Sequence, residues 1–132
     1  MSIVRMKGYT VKSLSFNTSL PSGKQITLQN ACSYNVRYSK EGLCVGSLEC
    51  KVSDKDAPDS FYVNIHIEGV FHFDASLPRE QIHVATYKEL FPYARSVVTS
   101  VTALCGITPI MIPQIDIEGQ DIYRIDTEGL KP

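Results

Sequence analysis

The sequence predicts an α+β fold, in which a four-stranded antiparallel sheet, a meander, is packed by a C-terminal helical region. Three observations carry this. From Gln25 to about residue 74, apolar and polar residues alternate with a period of two, behind a first strand-like run from about residue 4. From about 79 to 105 the spacing turns helical and stops at Gly106, a natural residue just past a helix end. The links between the strand-like runs are short, as in antiparallel neighbours. One face of such a sheet must be covered, and the helical region is the element available to do it.

The first strand, roughly Val4 to Phe16, has few apolar residues and reads as an edge or interface strand. From Gln25 onward Ile26, Leu28, Cys32, Tyr34, Val36 and Tyr38 share one face of a long half-buried strand rich in β-formers. Ser39-Lys40-Glu41-Gly42 is a tight turn, and Leu43 to Val52 is a third run with weaker alternation. A polar loop from Ser53 to Ser60 contains Pro58 and closes it. The fourth strand is the clearest, with Phe61, Val63, Ile65, Ile67, Phe71 and Phe73 on one side and Asn64, His66, Glu68, His72 and Asp74 on the other.

Pro78 to Gln81 is a helix start, with a Pro and an acid in the first turn. Pro92 removes an amide donor and disfavours the helical state at Phe91, which predicts a division into two helical segments. The second, about Pro92 to Cys105, has an apolar stripe of Ala94, Val97, Val98, Val101 and Leu104. Its other face carries Ser96, Thr99, Ser100, Thr102 and Ala103, and Arg95 is the one charge in the segment. Exposed helix faces normally carry Lys and Glu. Either another helix or subunit covers this face, or it is an unusually neutral solvent face.

The stretch 106–118 is an apolar loop that Pro109 and Pro113 keep from being a regular helix. Five Ile and one Met lie between Gly106 and Ile117. Such a loop either packs on its own core or offers an apolar surface to a partner. The segment 119–132 has room for a short helix at Asp121–Ile125 before Gly129.

The chain's 132 residues suit one domain and are too few for two ordinary ones. A 43% hydrophobic and 20% charged composition excludes wholesale disorder. Thirteen basic against 14 acidic residues leave a net charge of −1, a field too weak for a general nucleic-acid binder. No apolar run is long enough to span a bilayer. Arg5 and Lys7 stand where a signal peptide would need its apolar stretch, so the expected location is the cytoplasm.

Catalytic signatures are missing: there is no phosphate loop, nucleophile elbow, kinase set or zincin motif. Cys32, Cys44, Cys50 and Cys105 form no C-x-x-C pair or zinc spacing and read as reduced, mostly buried thiols. His66, Glu68, His72 and Asp74 share one strand face, but His66 and Asp74 lie roughly 25 Å apart along an extended chain and cannot close on one ion. That set is a solvated strand face, and His83 has no ligand-type partner at helical spacing. No catalytic residue, metal site or cofactor is expected.

Leu90-Phe91-Pro92-Tyr93-Ala94-Arg95, then Thr99-Ser100, Gly106-x-x-Pro109 and Pro113-x-Ile115-x-Ile117 resemble the signature of the SecB family of bacterial export chaperones. Tyr9 to Phe16 is similar to the family's first strand and Gly69-Val70-Phe71 to the end of its fourth. The likeness is dense over Leu90 to Ile117 and sparser upstream. It implies a SecB-like four-stranded antiparallel sheet packed by a long C-terminal helix, and an ATP-independent holdase that keeps unfolded or nascent polypeptides from folding, in a cytoplasmic homo-oligomer built as a dimer of dimers. Tyr9, Val11, Val97, Ser100, Val101 and Leu104 then fall at oligomer interfaces. Clients are expected on Phe91, Tyr93, Ile107, Ile110, Met111, Ile112, Ile115 and Tyr123, since Ile, Met and aromatics adapt to varied apolar sequences. The family docks the SecA motor through acidic sheet positions that correspond here to Ser13, Asn17 and Asn64. All three are neutral, which predicts weak SecA binding. Two other functions remain open: a SecB-like chaperone dedicated to one partner, such as an antitoxin, and a small-molecule binding domain whose apolar loop closes a pocket.

Overall fold

A computed structural model describes residues 3–20, 25–39, 41–107 and 109–112. Among them β1 spans Val4–Thr18, β2 Leu28–Tyr38, β3 Leu43–Asp54, β4 Phe61–Phe73 and α1 Arg79–Leu104. The strands form one four-stranded sheet in the order β1-β4-β3-β2, and every pairing is antiparallel. The fold class is the expected one, with one correction to the connectivity. The meander covers β2, β3 and β4, whereas β1 lies against the far side of β4 instead of beside β2. Residues 19–27 separate β1 from β2, a link longer than the roughly 2–5 residues of hairpin loops, so nothing local ties the two strands together.

The period of two sets the layers. In β4, Phe61, Val63, Ile65, Ile67, Gly69 and Phe71 are buried under α1, the alternate residues from Tyr62 to Glu68 are half-buried, and Val70 is exposed. Tyr34 and Val36 of β2, and Cys44, Leu48, Cys50 and Val52 of β3, extend the same core layer. β1 is mostly exposed, as an edge strand should be. Its pairing to β4 skips Lys7 and Lys12, two irregularities of the kind that keep edge strands from pairing promiscuously.

The helix is a single element of 26 residues, and Pro92 lies inside it. The expected division into two segments is therefore corrected. Leu90, Phe91 and Ala94 are all buried on either side of the proline. Tertiary packing of this strip outweighs the missing hydrogen bond, which a helix interior feels as about 3 kcal/mol. Pro92 itself is exposed. At the front, Arg79 lies 4.3 Å over the Tyr38 ring, and the Tyr38 hydroxyl donates to the Arg79 carbonyl at 3.3 Å, pinning the helix start to the end of β2. At the back, the Gly106 amide donates to Ala103 and the Ile107 amide to Thr102, both at 3.2 Å. That is a Schellman cap, and Gly106 supplies the φ of +81° it requires.

One close approach fixes how the sheet meets α1. The Tyr34 hydroxyl donates to Thr86 Oγ1 at 2.6 Å, and Thr86 in turn donates to the His83 carbonyl at 3.0 Å. To reach the helix the phenol crosses β3 at Gly46, where a Cβ would stand 2.9 Å from Tyr34 Cζ. Burial, the larger effect here, and the Thr86 contact oppose each other at Tyr34, and the net result holds its phenol protonated well above the usual range.

Candidate functional site

The second half of α1 and the chain that leaves it make one surface. Thr99 Oγ1 donates to the Ile110 carbonyl at 2.7 Å, and the Ile110 amide donates to Thr102 Oγ1 at 2.9 Å. These two bonds fold the post-helix segment back along α1. Thr102 also donates to Val98 O at 2.9 Å, is fully buried, and so is not part of an exposed neutral face. The apolar stripe needs the opposite correction. Ala94 and Val98 are buried, Val97 and Val101 are half-buried, and Leu104 is 86% exposed. The stripe therefore leaves the core before the helix ends.

The described residues expected to hold clients divide into three groups. Phe91 and Ile112 are core: 3% and 1% exposed respectively, with Phe91 stacked on Tyr87 at 5.3 Å. As surface anchors they are corrected, because a folded chain does not offer them. Ile107 and Ile110 are half-buried and packed against the core, while Met111 at 71% and Tyr93 at 40% exposure face outward. Ile115 and Tyr123 lie outside the described residues. The alternation Ile110, Met111, Ile112 is that of an extended segment with one side in and one side out.

Tyr9 and Tyr93, assigned different roles on sequence grounds, touch each other. Their ring centroids are 4.6 Å apart at 34°, a contact of the kind worth about 0.5–1.5 kcal/mol beyond its area. On the same side of the sheet Leu14 is also exposed and Val11 half-buried, Leu104 stands exposed at the end of α1, and exposed Val70 lies on the opposite, open face. The apolar surface therefore joins the last turns of α1, the post-helix segment and β1. Ser96 and Ser100 stand exposed beside it, and Arg95 is half-buried. Sequence reasoning missed Leu14, which lies on the mostly exposed edge strand β1 and pairs with buried Ile65.

The open face of the sheet is polar. His66 Nε2 lies 2.7 Å from Ser47 Oγ and 3.6 Å from Glu68, and Glu68 is also 3.6 Å from Arg37. His72 and Asp74 stay apart from it, and Asp74 accepts from the Ser76 amide and hydroxyl at 2.9 and 2.6 Å, bonds that hold its carboxyl below the usual range. Among the described residues no group of three or more His, Cys, Asp and Glu side chains could hold a metal ion. Ser13 and Asn64 line a shallow trough of about 510 Å³ with Glu49, Lys51 and His66. Asn17 lies elsewhere on β1, its amide donating to the Asp59 carbonyl at 3.2 Å. Among the described residues no helix is long and apolar enough to cross a membrane.

A scan against family profiles matches SecB, preprotein translocase subunit SecB, over residues 3–126. Among curated proteins, the chain is 27% identical over 127 residues to the protein-export protein SecB of Caulobacter vibrioides (strain NA1000 / CB15N), covering 88% of this chain and 77% of that one. It is 30% identical over 76 residues to the protein-export protein SecB of Dechloromonas aromatica (strain RCB), 54% of this chain and 49% of that one. The chain thus spans about half the length of the latter relative. Among solved structures, the fold is similar to the Mycobacterium tuberculosis Rv1957 SecB-like chaperone, solved with a ChAD peptide from the Rv1956 HigA1 antitoxin. The TM-score is 0.66 at 12% identity, over 86% of this chain and 88% of that one. A Streptococcus agalactiae protein of unknown function shares the fold at TM-score 0.53 and 11% identity, over 84% and 97% of the two chains.

Proposed function

This chain belongs to the SecB family, and from that premise we propose that it is an ATP-independent holdase for unfolded polypeptides. Family membership supports a chaperone role in protein export, and the observation that carries the reading is the family match over residues 3–126. The exposed apolar surface gives it a physical basis. Unfolded chains offer apolar side chains of no fixed sequence, and Met111, Tyr93 and half-buried Ile107 and Ile110 meet them without a shaped pocket. We assign client contact to these residues together with Tyr9, and assembly to the neutral strip of Val97, Ser100, Val101 and Leu104. A homo-oligomer buries Leu104 against a second copy and sets several client surfaces on one particle. Each surface alone is weak, and several gripping one long chain bring the affinity a holdase needs.

A second reading is favoured by two observations. The neutral residues Ser13, Asn17 and Asn64 lack the charge for salt-sensitive docking of a basic motor surface, and the mycobacterial structural neighbour was solved with an antitoxin peptide. Both suit a chaperone dedicated to one partner, such as an antitoxin. The small-molecule alternative fares worse, because Ile112 fills the core where that function would need a cavity. The deciding experiment is suppression of aggregation of several unrelated denatured proteins near stoichiometric ratio. A general holdase suppresses them all, and failure with every one of them overturns that reading. Copurification from the native cell then separates a broad clientele from a single antitoxin.

A further inference from the structure

Cys32 and Cys50 are separated by 17 residues of sequence, yet they are direct partners across β2 and β3. Their sulfurs lie 2.8 Å apart and share a hydrogen bond, and both cysteines are free. Opposed residues of antiparallel strands have Cα atoms about 4.5–5.5 Å apart, inside the roughly 4.4–6.8 Å that a disulfide spans. The strands therefore need little movement to accept the bond. The two thiols differ in access. Cys32 is half-buried on β2, the outer strand of the sheet, whereas Cys50 is 3% exposed beneath α1.

We propose that Cys32 and Cys50 are a reversible dithiol–disulfide site whose substrate is a small dialkyl disulfide, with Cys32 as the attacking thiol and Cys50 as the resolving one. The Cys32 thiolate attacks one sulfur of the dialkyl disulfide, forming a mixed disulfide and expelling one thiolate. Cys50 gives up its proton and attacks the Cys32 sulfur, forming the internal bond and expelling the second thiolate. Two electrons pass from the cysteine pair to the small disulfide, and the two cysteine protons end on the two released thiols. The local electrostatics agree with this division of labour. The Cys50 hydrogen bond holds the Cys32 thiol below its ordinary value despite burial, while the same bond and burial push Cys50 up. Cys44 lacks such a partner, and burial raises its thiol to about 11. The new bond would fasten the outer strand β2 to β3 near the buried hydroxyl of Tyr87, which has no hydrogen-bond partner and whose ionisation both thiols oppose.

The test is oxidised glutathione added to the folded protein in a Cys105→Ser background, which removes the exposed thiol at the helix end, followed by intact-mass and peptide analysis. The expected product has lost two hydrogens, retains no glutathione, and yields a peptide linked through Cys32 and Cys50. Cys50→Ala should trap one glutathione on Cys32, and Cys32→Ala should lower modification at Cys50 at least tenfold. Dithiothreitol should return the starting mass. Glutathione retained on Cys32 while Cys50 is present, or Cys32 reacting no faster than Cys44, overturns the proposal. Should Cys50→Ala fail to fold, the linked peptide in the parent protein decides it: its presence supports the site and its absence sinks it.

Discussion

The two halves of α1 share one axis and one sheet but bury themselves differently. From Arg79 to Phe91 the helix sends Ile82, His83, Thr86, Tyr87, Leu90 and Phe91 into the core and shows water Glu80, Lys88 and Glu89. From Pro92 to Leu104 it buries Ala94, Val98 and Thr102, and shows Tyr93, Ser96, Ser100, Ala103 and Leu104. The first half spends its apolar side chains on stability. The second leaves Tyr93 and Leu104 exposed. On the proposed function, one amphipathic pattern serves folding at one end and contact at the other, and the charge of the exposed face separates the two.

The largest expected effect breaks the comparison at its core end. Leu90→Ala should cost about 2–5 kcal/mol, because the side chain is fully buried and the rigid helix–sheet contact cannot collapse onto the hole. Leu104→Ala, the same chemistry three to four turns later, should change chain stability by no more than about 0.5 kcal/mol, since it is 86% exposed. It should instead weaken self-association. Urea midpoints and light scattering on the two variants read the contrast directly. Equal destabilisation would mean that the two halves pack alike.

The next effect is in pH. His83 is 1% exposed, and burial lowers its pKa from 6.5 to about 4. The fold therefore prefers the neutral ring. Between about 6.5 and 4 the unfolded chain binds the extra proton, so this contribution is complete above pH 6.5 and lost as the pH falls towards 4. The full loss is roughly 3 kcal/mol at about 1.4 kcal/mol per unit. His83→Leu should flatten that slope in thermal melts run from pH 7.5 to 4.5, and an unchanged slope would show that the ring stays neutral without cost. A smaller effect is expected at Gly46→Ala, about 1–3 kcal/mol of overpacking as the new methyl pushes Tyr34 off Thr86. Tyr34→Phe in the same background should recover part of it, because the phenol oxygen is the atom the methyl meets first.

Much of this architecture was legible in the residue pattern. The strict alternation of Phe61 to Phe73, the glycine stop at 106 and the shortage of charge after Pro92 all survive in three dimensions. What was not legible depends on long-range packing. Pro92 reads as a break because local rules know nothing of Leu90 and Ala94 seated on the sheet. The place of β1 beside β4 rests on pairing between residues up to about 70 positions apart, which periodicity does not encode. Thr102 reads as surface by type and is core because its hydroxyl bonds Val98 and receives Ile110. The Cys32–Cys50 pair needed the register of β2 on β3. For the candidate surface, composition indicated that the loop is apolar, and only the fold separates Ile112 inside from Met111 outside.

The smallest expected change in stability goes with a large one in activity, at the contact end of the helix. Tyr93→Ser with Met111→Ser removes two exposed side chains and the ring contact to Tyr9. Stability should fall by about 1 kcal/mol, most of it from the lost aromatic pair. A client covering both side chains would gain about 1.5–3 kcal/mol from each before ordering costs. Even half of that sum, about 2 kcal/mol, is more than tenfold in affinity at one surface, since about 1.4 kcal/mol is tenfold. An oligomer that grips one chain at several surfaces multiplies the deficit. Aggregation suppression by the double variant should therefore need at least tenfold more protein, while the urea midpoint and particle size hardly move. Full suppression at the parent ratio would place clients elsewhere, and the open trough of Ser13, Asn64 and His66 would be the next surface to mutate.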